Sequence, residues 1–200
     1  MIQRPAYYGR ILLFLIVWYG LTASVPSYGP VSAAEQSVEP AISHITRTGD
    51  NQFLLISFRL DNGYPADAEK VVKSGTPLEV NYDVELLADG TLWDSTIVSL
   101  NLTRTLYYDV IKGYFQIGFG TETPRIVSVR HMSEANRFVF EIKNQPVIKL
   151  VELDKGTEYK IRVRASVTRK VDLLMPFKPL VSIFSSWGYT TDWNEITFSN

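Results

Sequence analysis

From Leu78 to Leu86 apolar and polar residues alternate without a break, with Leu78, Val80, Tyr82, Val84 and Leu86 on one parity and Glu79, Asn81, Asp83 and Glu85 on the other. A period of two puts the first set against a core and the second in water, so it predicts a half-buried strand. The same period recurs from Glu158 to Val167, opened by Gly156. There Tyr159, Ile161, Val163, Ala165 and Val167 are predicted to face inward, and Lys160, Arg162 and Arg164 outward. Ala88-Asp89-Gly90-Thr91 supplies a hairpin turn through its Asp-Gly pair. The run that follows, Leu92 to Leu106, carries Ile97, Leu100, Leu102 and Leu106 on mixed parity. A bulge between Ser99 and Leu102 reconciles them.

Shorter runs complete the pattern. Phe53 to Leu60 is aromatic and branched and closes on Asp61-Asn62-Gly63, which predicts a strand and a turn. Tyr107 to Phe119 predicts a further strand with Gly113 at a tight turn or bulge, and Thr121 to Met132 another around Ile126, Val127 and Val129. Two segments read as helices. Asp67 to Lys73 makes about two turns, with Gly75 past its end. In Ser133 to Lys143, Ala135, Phe138, Val139 and Ile142 fall at i, i+3, i+4 and i+7, with Ser133 as N-cap. Arg137 to Ile142 also alternates as a strand would, but the helical spacing is favoured. About seven strands, two short helices and no βαβ alternation predict a mainly β fold, an antiparallel β-sandwich.

The segment before these elements has a different logic. Arg4 and Arg10 precede the apolar run Ile11 to Tyr19, and Gly20, Pro26, Gly29 and Pro30 break it well short of the ~20 apolar residues that a membrane helix needs. Charge followed by a short apolar stretch is the order of a secretory signal, with Ser32 and Ala34 at a cleavage site. Residues 1–34 are therefore expected to be a signal peptide, residues 35–52 a polar tether, and residues 53–200 one domain. The alternative is that the apolar segment is kept as an anchor in the inner membrane. On either reading the domain works outside the cytoplasm.

Charge and composition narrow the chemistry. Twenty Lys and Arg against 21 Asp and Glu leave a formal charge of −1, which offers nucleic acid no broad basic surface. The absence of cysteine removes disulfides, thiolate metal sites, a cysteine nucleophile and a lipoprotein anchor. Only His44 and His131 supply imidazoles, and neither has a partner at a telling spacing. Asp83, Glu85, Asp89 and Asp94 come nearest to a metal cluster, yet Asp83 and Glu85 share the solvent parity of one strand. No catalytic residue, metal or cofactor is expected.

Two surfaces are candidates for binding. The first is the apolar, proline-broken stretch around Leu174, Met175, Pro176, Phe177, Lys178, Phe184 and Trp187, which would form a partner surface if exposed and would close the sandwich if buried. The second is the basic strand face of Lys160, Arg162 and Arg164, to which Arg104 and Arg169 are added. It would meet an acidic partner, lipid headgroups or cell-wall polymer, or be no more than a solvated face. Tyr107, Tyr108 and Tyr114 with Trp93 could also line a cleft.

Tyr159 to Ala165, Leu174-Met175-Pro176-Phe177-Lys178-Pro179, Asp192-Trp193 and Thr197-Phe198, preceded by Gly75 to Tyr82 and Val84-Glu85-Leu86, resemble the DUF4390 family of exported bacterial proteins. The resemblance covers most of the chain after about Ile42. It implies export to the periplasm of a Gram-negative-type bacterium and a single β-dominated domain, and no established activity. Leu173-Leu174 before the proline loop departs from the family's usual spacing and makes that loop more apolar. The functional expectation is a non-enzymatic interaction module that binds an envelope protein, itself in the membrane or beside it, with contact to a membrane surface. The alternative is a carrier of a small apolar ligand or lipid, which would need an enclosed apolar cavity.

Overall fold

The computed structural model describes residues 39–50, 52–64, 68–90, 93–169 and 188–200. Residue contacts divide the chain after Ser37, and Val38–Asn200 hold together as one unit. Within the described residues the strands are β1 (Ala41–Gly49), β2 (Phe53–Asp61), β3 (Leu78–Ala88), β4 (Ser95–Asp109), β5 (Tyr114–Phe119), β6 (Arg125–Val129), β7 (Glu141–Lys149), β8 (Glu158–Arg169), β9 (Tyr189–Thr190) and β10 (Asn194–Ser199). Two helices accompany them, α1 (Ala68–Lys73) and α2 (Met132–Phe140).

The strands form two antiparallel sheets. A three-stranded sheet runs β1-β2-β7, and a larger one runs β10-β8-β3-β4-β5-β6 with β9 added to β8. The alternation in β3 and β8 puts Val80, Tyr82, Val84, Ile161, Val163 and Ala165 at full burial, facing Leu54, Ile56 and Phe58 of β2. Phe58 meets Tyr82 edge to face, with ring centroids 5.3 Å apart. Each buried Val, Leu, Ile or Phe among them stabilises the fold by roughly 1.5–3 kcal/mol through the apolar area it removes from water. The mainly β, antiparallel, two-sheet reading is what the chain forms.

Its parts differ from expectation in five places. Residues 41–49 are no tether, because their backbone pairs with β2 from Ala41↔Asp61 to Gly49↔Leu54. Ile42 is their one buried apolar side chain, so an edge strand held by its neighbour leaves almost no hydrophobic period. Tyr107 to Asp109 belong to β4, and the chain turns over Val110–Gly113, with Gly113 at φ +71° where a side chain would be strained. The bulge in β4 falls at Ile97, between the pairs Leu86↔Val98 and Leu87↔Thr96, while Ser99 to Leu102 pair without interruption.

Helix α2 begins at Met132 with His131 as its N-cap, whose carbonyl accepts from Glu134 and Ala135 at 3.1 Å, so Ser133 lies inside the first turn. It ends at Phe140, and Ile142 continues as a strand residue opposite Phe58. Both readings of this segment were partly right: helical spacing governs its first part and strand alternation its end. The strand β7 was also unforeseen, since Pro146 interrupts it and its register against β2 shifts twice.

Gly63 has a packing role in the loop after β2. A Cβ there would lie 2.7 Å from the Phe140 ring, which also stacks edgewise on Tyr64 at 4.3 Å.

Candidate functional site

The outward face of the larger sheet is built by strand register. Pairing of β3 with β8 sets Asp83 opposite Arg164 and Glu85 opposite Arg162. Arg164 Nε donates to Asp83 Oδ2 at 2.9 Å, and Arg162 Nε donates to Glu85 Oε2 at 2.7 Å. Lys160 Nζ reaches Asp94 at 2.9 Å and Glu195 at 3.9 Å. Its hydrogen bond to Asp94, then the charges of Asp94 and Glu195, hold its pKa above the ordinary lysine value. The Trp193 ring lies 4.6 Å from both the Arg162 and the Arg164 guanidinium. Asn101 donates to the second oxygen of Asp83 at 2.9 Å.

The candidate basic face is therefore a ladder of matched charges. Asp83, Glu85 and Asp94, considered for a metal, are each taken by a cation. Among the described residues no group of three His, Asp or Glu is placed to hold a metal ion.

Arg104 does not belong to this ladder, contrary to expectation. It pairs with Val80 and shares the parity of Leu102 and Leu106, so its side chain leaves β4 on the face that carries the core. Its Nη1 donates to the carbonyl of Thr103 at 3.0 Å, while Nε is covered by protein and meets no acceptor among the described residues. Its charge rests against the Phe119 ring at 4.6 Å, and Arg125 lies 5.1 Å from the same ring. Burial, with Arg125 acting in the same direction and Tyr82 opposing, holds the Arg104 pKa below the usual arginine value.

Arg104 lines a groove of about 450 Å³. Phe119 and Arg125 form one side, Glu134, Arg137 and Phe138 of α2 another, and Glu141, Ile142, Lys143 and Gln145 of β7 the third. Four cations thus face two carboxylates, and one of those, Glu141, is already paired with Lys143 at 2.7 Å. Phe138 sets its edge on Phe119 at 6.4 Å. The α2 wall is fixed from below, because Tyr82 Oη donates to the carbonyl of Val139 at 2.9 Å. A smaller groove of about 210 Å³ opens beside Glu79, Tyr107, Gln116 and Ile126.

The remaining candidates separate. His131 is exposed at the α2 N-cap, and its side chain makes no capping bond. His44 stands at a bulge of β1 with φ +52°, its Nδ1 2.8 Å from Ser43 Oγ. Of the tyrosines, Tyr107 lines the smaller groove, Tyr108 packs on Phe115 at 4.9 Å, and Tyr114 lies under Arg130 at 5.8 Å. Trp93 is 78% exposed between β3 and β4, so these rings form no common cleft. Leu174, Met175, Pro176, Phe177, Lys178, Phe184 and Trp187 lie outside the described residues, as do residues 1–34 and the side chain of Arg169. No helix among the described residues is long and apolar enough to cross a membrane.

Sequence reasoning missed the groove, although one signal pointed to it. In the series Leu100, Leu102, Arg104, Leu106 a guanidinium takes a place where the parity calls for an apolar side chain. Phe119, Arg125, Arg137 and Phe138 come from three other elements, and no spacing connects them.

The family model for DUF4390, a domain of unknown function, matches residues 38–197. No curated protein and no solved structure matches the chain.

Proposed function

The chain belongs to the DUF4390 family, and we propose that it is an exported envelope protein whose β-sandwich acts as a non-enzymatic interaction module in the periplasm. The observation that carries this reading is the groove beside Arg104, with its excess of cations and its aromatic walls. A half-buried guanidinium whose Nε is covered and unpaired, with no carboxylate beside it among the described residues, carries a desolvation cost that a ligand's negative charge would offset. The order of charge and apolar residues before Glu35 supports export. The alternative of an apolar-ligand carrier is disfavoured by the charges that line the groove.

The test is site-specific photo-crosslinking in the native bacterium, with the crosslinker replacing Lys143 or Gln145 in the groove and Glu195 on the outer face. One envelope protein captured from the groove positions alone, and rebinding when purified, is the expected result. The same products from both faces would overturn the reading, and lipid recovered in place of protein would favour the carrier. N-terminal sequencing of the same sample is expected to find a start near Glu35, and a start at Met1 would favour the anchor.

A further inference from the structure

We propose that Arg104 is the anion anchor of the groove and that its occupant is an extended protein segment in which carboxylate side chains alternate with apolar ones. The inference rests on the interaction-module reading and names what that module recognises. Its first support is charge. Arg104, Arg125 and Arg137 line one groove, and no salt bridge engages them among the described residues, whereas Arg162 and Arg164 on the outer face each have a carboxylate within 3 Å. A carboxylate in the groove would give Arg104 the counter-charge that its own chain withholds, in surroundings where a charge-assisted hydrogen bond is strong.

The second support is the lining. Cations share the lining with Phe119, Phe138 and Ile142, so an occupant is best matched by offering both charge and apolar surface. About 450 Å³ holds several side chains, far more than a single inorganic anion fills. The third support is the edge. β7 is an end strand of its sheet, and its Glu141–Gln145 portion lines the groove before Pro146 removes a backbone donor. An extended segment suits such an edge, because its own backbone can pair there while alternate side chains enter the groove.

The experiment measures binding of a short fluorescein-labelled peptide of alternating glutamate and leucine to the full chain, beside its glutamine–leucine counterpart. The glutamate peptide is expected to bind and the glutamine peptide to bind at least about tenfold more weakly. Arg104→Met should weaken the glutamate peptide about tenfold or more, and Arg104→Lys, which keeps charge without the planar fork, should fall between. Arg137→Gln, at an exposed position that bears little on folding, should weaken it a few-fold. Circular dichroism melting shows that each variant is folded.

Equal binding of the two peptides, or full binding by Arg104→Met, would overturn the proposal. So would Arg104-dependent binding of inorganic phosphate or of phosphatidylglycerol vesicles with none of the glutamate peptide. The two readings fail separately. A groove crosslink that persists in Arg104→Met removes the anchor and leaves the module, whereas the loss of every groove-specific crosslink removes the module itself.

Discussion

Arg162 and Arg104 sit on the two strands that flank β3, and their surroundings are opposite. Arg162 meets Glu85 across the register and lies over Trp193, half in water. Arg104 faces Val80, is likewise part-buried, and has only a neighbouring carbonyl and an aromatic ring beside a charge that no carboxylate among the described residues matches. The difference teaches that a row of cations along a strand says little about available charge. The pairing strand decides that, and here it neutralises the conspicuous row and leaves the inconspicuous residue unmatched.

The largest effect belongs to the frame that both regions share. Tyr82→Ala removes a buried ring and the bond that ties α2 to β3, and should cost about 3–5 kcal/mol in urea denaturation. A loss below about 1 kcal/mol would show that the groove wall does not depend on this tie. Next comes the contrast itself. Arg162→Met should destabilise by about 1 kcal/mol, since Glu85 loses its partner and Trp193 one of its two cations. Arg104→Met should leave stability unchanged or raise it by up to about 1 kcal/mol, because a half-buried charge, with no carboxylate partner and an unpaired Nε among the described residues, is gone. Equal losses in the two variants would erase the distinction.

Smaller still is the coupling within the ladder. A double-mutant cycle of Asp83→Ala and Arg164→Ala should give about 0.5 kcal/mol and shrink in high salt, as expected of a pair this open to water. The smallest effect is on pH. Asp61 accepts from Arg59 and from Ser43, which hold its pKa below the ordinary carboxylate value. Its depressed folded pKa means that the stability it adds is present above the unfolded value of about 3.9 and is lost as pH falls through the lower folded value. The β1–β2 pair should therefore loosen only below about pH 4, and carboxyl NMR titration of Asp61 checks this. A midpoint at the unfolded value would deny the interaction.

Most of the central sheet was legible in the chain. In β3 and β8 the period of two is strict, and each inward residue that it named is buried. The edge strands β1 and β7 were not legible, because a strand that buries few side chains is defined by backbone pairing, to which side-chain pattern is blind. The helix α2 was visible from its spacing, but its end was not. Phe140 closes the helix by packing on Tyr64 and over Gly63, a contact that no local pattern encodes.

The sequence by itself determined the class of fold and the inward faces of the central strands, since these rest on periodicity and local composition. Only the tertiary structure decided which charges are free. Whether Lys160, Arg162 and Arg164 are matched depends on the register of β8 against β3 and on Asp94 and Trp193 arriving from elsewhere. Whether Arg104 stands alone depends on β5, β6, α2 and β7 meeting around it. Electrostatic pairing acts over a few ångströms in space, and distance along the chain does not fix it.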